Sequence, residues 1–115
     1  MLYDTDLDQF TGTEQYYQHS FTNIRFTDGV KYLADTAKVY WLIDAIASYQ
    51  KKQIADISFQ LWELTVNADH SAILTMRNDS GCPVLVKQRI PYTDYPMPKI
   101  KLWLSHRVLM LPTEY

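Results

Sequence analysis

The stretch Tyr40–Gln50, YWLIDAIASYQ, reads as a helix with almost no polar side, and one carboxylate, Asp44, sits in its middle. A buried ionised carboxylate is costly unless it is paired and hydrogen-bonded. Two chemistries answer that cost. Asp44 is either the acceptor of a buried polar network or an acid/base group in a site. Tyrosine hydroxyls such as Tyr40, an indole N–H, or Arg25 or Arg89 would supply the donors. The network is the preferred reading, because satisfied buried networks fix a core arrangement more often than they do chemistry. Other carboxylates have simpler duties. Asp28 suits a helix N-cap, and Asp94 before Tyr95-Pro96 suits a turn.

Other chemistries find little support. His19, His70 and His106 are scattered, with no second ligand at helical spacing, so no metal or cofactor is expected. Cys82 stands between Gly81 and Pro83, and a reactive thiol needs a base or a lowered pKa. His70, in the preceding turn, is the nearest imidazole in sequence. TDGVK and DSGCP are single-glycine turns and not phosphate-cradling loops.

Composition sets the frame. The chain has 115 residues, net charge −2 and a pI of about 5.8. That length fits one domain, 1–115, with residues 1–9 as a loose N-terminal segment. The totals disfavour nucleic acid as a partner, since phosphate neutralisation needs a cationic surface. One cysteine excludes an internal disulfide and fits a reducing cytoplasm. The acidic start MLYDTDLDQF is no secretory signal, and no apolar run approaches the roughly 18 residues of a membrane helix.

The elements that must position these residues follow from periodicity. Thr11 and Glu14 match a capping box, predicting a short helix from about Gly12 to His19. Asp28-Gly29 fits either a hairpin turn or a helix start, and a helix from Gly29 to about Ala37 is preferred. The main helix spans about Val39 to Lys51 and is apolar nearly all round, as buried helices are. Residues 57–66, 71–77, 83–92, 100–105 and 108–112 read as strands. In 57–66 the alternation slips, which predicts a bulge near Leu61. Helices first and strands afterwards predict an α+β fold. Short connections predict a meander, with N-terminal helices packed on one face of a four- or five-stranded antiparallel sheet.

Strand alternation turns Trp103, Leu85 and Ile73 to the face away from the helices, and VLML is apolar on both faces. An apolar patch there marks either an interface or a surface covered by the N-terminal segment.

Several stretches together resemble a family of small bacterial proteins known only as a domain of unknown function. They are FTG, TDGVKYLAD, YWLIDAIASYQ, FQLWEL, YTDYP and the ending VLMLPTEY. The similarity runs from about Phe10 to Tyr115. It implies a stand-alone domain and an accessory role, since members tend to sit among plasmid or phage genes. It assigns no catalytic residue. The ending suggests a C-terminus tied into the fold. The expected function is therefore a non-enzymatic binding or adaptor protein that self-associates as a homo-oligomer or holds a protein partner. The alternatives are a small hydrolase-like enzyme using Asp44 and, more weakly, single-stranded nucleic-acid binding on strand aromatics near Lys87, Arg89 and Lys101.

Overall fold

A computed structural model describes residues 16–19, 22, 24–51, 54, 56–79 and 81–114. The chain forms strands β1 (Tyr16–Gln18) and β2 (Arg25–Thr27), then helices α1 (Asp28–Ala37) and α2 (Tyr40–Ser48). Strands β3 (Phe59–Val66), β4 (Ala72–Arg77), β5 (Val84–Ile90), β6 (Lys99–Ser105) and β7 (Val108–Met110) follow, then a 3-10 turn at Pro112–Glu114.

The class is α+β, as expected, but the sheet is larger and mixed. Its seven strands lie in the order β1-β2-β7-β6-β3-β4-β5, and β2 pairs with β7 in parallel. The four- or five-stranded antiparallel meander is therefore corrected. Among the described residues the two helices follow two strands and do not come first. The helix expected over Gly12–His19 is contradicted at Tyr16–Gln18, which is β1 paired antiparallel with β2. Thr11 and Glu14 lie outside the described residues.

Local chemistry explains most elements. The helix over Asp28–Ala37 forms as preferred, but its N-cap is Thr27, whose hydroxyl accepts from the Val30 amide at 3.3 Å. It stops at Lys38, held in the left-handed region at φ 59°. β6 and β7 join through His106 and Arg107, at φ 50° and 70°. Two consecutive positive φ values match the type I′ turn that fits the twist of a hairpin.

Only β3, β4 and β5 follow one another as a meander. The next strand, β6, pairs with β3 instead of β5. Residues 91–98 carry the chain back past β4. Proline at Pro91, Pro96 and Pro98 withholds the amides that a ladder beside β5 would need. The bulge expected near Leu61 is absent. β3 pairs without a break from Leu61 to Val66 with β4 and from Phe59 to Thr65 with β6. The irregularity sits between Met76 and Arg77, where β4 meets β5.

Both helices lie on one face of the sheet. Val30, Leu33, Leu42 and Ile46 pack with Trp62, Leu64, Leu74, Met76 and Leu102 in one core. Glu114 ties the C-terminal turn to the start of α1. Its carboxylate accepts from the Thr27 hydroxyl at 2.6 Å, the Gly29 amide at 3.3 Å and the Leu111 amide at 3.0 Å. A negative charge at a helix N-terminus is favourable because the first amides lack intrahelical partners.

Candidate binding surface and polar clusters

Asp44 is not buried. Its side chain is 69% exposed, and its partner is His19, whose Nε2 lies 2.7 Å from Asp44 Oδ1. The helix turns this position outward while Leu42, Ile43, Ile46 and Ala47 face the core. His19 Nδ1 faces the Thr22 hydroxyl at 3.1 Å, and that oxygen accepts the Ile24 amide at 3.3 Å. Hydroxyl, imidazole and carboxylate thus stand in series. The carboxylate is solvated, however, and the hydroxyl oxygen already holds a backbone amide. The arrangement pins the β1–β2 connection to α2. Exposed pairs of this kind contribute at most about 1 kcal/mol. Asp44→Asn is therefore expected to keep the fold and lower stability by less than about 1 kcal/mol in a urea titration. A loss several times larger would mean that Asp44 supports more than this one contact.

Tyr40 and Asp44 are one helical turn apart, yet they serve different clusters. The Tyr40 hydroxyl donates to Asp35, and Lys31 Nζ reaches Asp35 Oδ2 at 2.7 Å and Tyr40 Oη at 3.4 Å. Lys31 also stands 5.3 Å from the centroid of the Tyr17 ring, a cation–π contact. The bond from Lys31, and next that from Tyr40, holds the Asp35 carboxyl below its ordinary range. The same bond to Asp35 raises Lys31, and acceptance by Asp35 raises the Tyr40 phenol. These groups fasten α1, α2 and β1 together at the surface.

The buried polar network lies elsewhere and was not anticipated. Gln60, 1% exposed, points from β3 into the core. Its Oε1 accepts from Trp62 Nε1 and Gln50 Nε2, both at 2.9 Å. Its Nε2 is shared among Gln50 Oε1 at 2.9 Å and the carbonyls of Ile54 and Ile57 at 3.0 Å. The Tyr49 hydroxyl donates to Gln88 at 2.7 Å beside the Trp62 ring. Unbroken alternation through β3 would have revealed Gln60, since Trp62 and Leu64 share its face.

The other face of the sheet carries most of the charged strand residues, although Leu61 on it is buried. Register aligns Lys101, Glu63, Thr75 and Lys87 in one row across β6, β3, β4 and β5, and Lys99, Thr65, Ile73 and Arg89 in the next. Trp103, Leu61 and Arg77 form a third row. Trp103 and Ile73 are half-buried and Leu85 is 47% exposed. All three expected residues share this face. They do not form one contiguous patch, because Leu61 and Arg77 stand between Trp103 and β5, and the Glu63 row separates Trp103 from Ile73. The Trp103 ring stacks on Phe59 instead, 4.6 Å apart and 4° from parallel.

Cations dominate the face. Arg77, Lys87, Arg89, Lys99 and Lys101 accompany one strand carboxylate, Glu63. Lys99 and Lys101 approach Glu63 at 3.9 and 3.8 Å. Lys87 and Arg89 form no ion pair among the described residues. They line an open cleft of about 460 Å³ with Asn67, Ser71, Ala72 and Ile73. At its end the Ser71 hydroxyl and amide hold Asp69 below its ordinary range, and the Arg89 charge adds to that. His70, in the same turn, tilts on the Tyr92 ring at 5.7 Å.

Among the described residues no group of three or more His, Cys, Asp or Glu could hold a metal ion, and no helix is long and apolar enough to cross a membrane. Cys82 and His70 lie in turns at opposite ends of β4, roughly 20 Å apart along a six-residue strand. No curated protein and no solved structure matches the chain. The model of a family of unknown function, DUF6876, matches residues 1–115, and the chain belongs to that family.

Proposed function

We propose that this chain is a non-enzymatic binding domain that engages its partner through the face of the sheet opposite the helices. The supporting observation is the composition of that face. A water-facing sheet side ordinarily carries scattered polar residues. Here a coplanar Trp103–Phe59 stack and the half-buried Ile73 stand among cations, while α1 and α2 both pack on the other side. Aromatic residues and arginine are enriched at interfaces, and Trp103 and Phe59 with Arg77 and Arg89 supply both, although lysine is depleted there. The hydrolase-like reading through Asp44 is weaker, because that carboxylate is solvated and held by His19.

Self-association is the second reading. Val84 and Leu85 are 43% and 47% exposed on β5, which is an edge strand. Lys87 and Arg89 on the same strand, and the bulge beside Arg77, blunt that edge against pairing.

The test is affinity capture of the tagged chain from its native cells beside an Ile73→Glu/Leu85→Glu variant, read by native mass spectrometry. A component or second copy recovered with the wild type and lost from the folded variant is the expected result. Equal recovery from both would remove this face as the interface.

A further inference from the structure

We propose that a pocket at the corner between α1 and α2 binds a quaternary ammonium group. The site lies on the helix side and is independent of the sheet face proposed above. It measures about 210 Å³, and Trp41, Tyr92, Tyr95, Asp94 and Lys38 are among the residues that line it. Aromatic rings beside a carboxylate are the first ground. Trp41, from the first turn of α2, is half-buried, and Tyr92 is 63% exposed, so much of its ring is open to a ligand. Tyr95 belongs to the core and closes the pocket on that side. Ring faces attract cations, tryptophan most strongly. The Asp94 carboxylate supplies the opposite charge beside them.

The walls are also set before a ligand arrives. The Tyr92 hydroxyl donates to Asp94 Oδ1 at 2.7 Å, which fixes ring and carboxylate side by side. That bond raises the Tyr92 phenol, so the hydroxyl stays a donor at neutral pH. The His70 ring tilts on Tyr92 at 5.7 Å. The Thr93 amide donates to the His70 carbonyl at 2.8 Å, and the Thr93 hydroxyl accepts the Tyr95 amide at 3.1 Å. Groups already held lose little freedom on binding.

Hydrogen-bonding capacity selects the kind of cation. A primary ammonium carries three N–H donors, each needing an acceptor. The lining side chains offer one carboxylate, whose Oδ1 is engaged by Tyr92. Enclosing an unsatisfied donor is costly. A quaternary ammonium has no N–H and presents methyl groups to the rings. Lys38 also lines the pocket. Its charge acts on Asp35 as well, adding to the Lys31 and Tyr40 bonds that hold that carboxyl low.

The experiment is a titration of the full chain with choline, followed in two-dimensional amide NMR spectra. Two analogues run beside it. One is neutral, with carbon in place of the nitrogen, and the other is ethanolamine, charged but unmethylated. Choline is expected to bind on the order of 1 mM, as suits so small a ligand, with shifts centred on the Trp41 indole and residues 92–95. Both analogues should bind at least about five-fold more weakly. Asp94→Asn should weaken choline binding about five-fold and Lys38→Gln should tighten it about two-fold, because they remove charges of opposite sign. Trp41→Leu should weaken it about ten-fold. The same spectra show whether each variant is folded. Asp94 and Lys38 are exposed, so their variants carry the test if Trp41→Leu does not fold. A peptide with one trimethylated lysine separates the sources. Tighter binding than choline assigns a protein side chain, and equal or weaker binding assigns a free small amine. If the neutral analogue binds as tightly as choline, or if Asp94→Asn and Lys38→Gln both leave the affinity unchanged, the proposal falls. Absence of shifts at these signals in about 20 mM choline overturns it as well.

Discussion

Gln60→Leu is expected to destabilise the protein by about 3–5 kcal/mol, the largest effect of any single polar substitution considered. The substitution conserves size, so packing loss is small. What is lost is partnership. The Trp62 indole N–H and the Gln50 amide N–H lose their shared acceptor, and the carbonyls of Ile54 and Ile57 lose their donor. A buried polar group left unsatisfied costs about 1–3 kcal/mol. Two strong losses and two weaker ones, with Gln50 partly able to reach water, give the stated range. Urea titration monitored by tryptophan fluorescence measures it. Combining Gln60→Leu with Gln50→Leu should cost less than the sum of the single changes, because partners sharing bonds are not additive. Gln60→Leu within about 0.5 kcal/mol of wild type would mean that water satisfies these groups and the network is dispensable.

Gly29→Ala is expected to cost about 2–3 kcal/mol and to lower the melting temperature by roughly 10 °C. A methyl at this position would lie 2.5 Å from Glu114 Oε1 and 2.7 Å from Leu111 Cδ1. Glu114 has a flexible side chain, but here its carboxylate is fixed by three donors: Thr27, Gly29 and Leu111. Moving it aside forfeits charge-assisted bonds and the capping of α1. The helix propensity gained by replacing glycine with alanine, at most about 1 kcal/mol, opposes part of this. Glu114→Ala alone should cost a similar amount. The double variant should cost clearly less than the sum, because the methyl then meets no carboxylate. Differential scanning calorimetry of the four proteins gives the answer, and full additivity would show that Gly29 and Glu114 act independently. This contact brings TDGVKYLAD and VLMLPTEY together in the fold, since Gly29 leaves the space that the Glu114 side chain fills.

Asp44 shows why a residue's neighbours in sequence can mislead. Counting polar and apolar positions over Tyr40–Gln50 made Asp44 look enclosed. In the fold α2 covers the core with one side only, with Leu42, Ile43 and Ile46 turned inward and Tyr40, Asp44 and Ser48 turned out. Helical spacing places Tyr40, Asp44 and Ser48 on one stripe, which was legible. That this stripe would face water depended on which side of α2 the sheet took. The residue that is buried and polar, Gln60, was hidden by reading the strand as slipped. Polar residues are usually placed outside, and a glutamine is accepted inside only when every bond it needs is supplied by groups distant in sequence.

Sequence periodicity by itself determined the helices over Asp28–Ala37 and Tyr40–Ser48, the five strands of the second half, the inward and outward faces of those strands except at the start of β3, and the α+β class. These depend on residues a few positions apart, and alternation or helical spacing records them directly. Charge totals, by contrast, concealed the basic face. Net charge sums over the whole surface, whereas the gathering of Lys87, Arg89, Lys99 and Lys101 depends on which strands pair. Only the tertiary structure decided that pairing. β6 bypasses β5 to lie against β3, and β2 joins β7 in parallel across most of the chain's length. Partner choice between strands is set by how all their faces fill one core together. No local pattern carries that information, so the sheet order, the Gln60 network and the Gly29–Glu114 contact emerge only when the whole chain is folded.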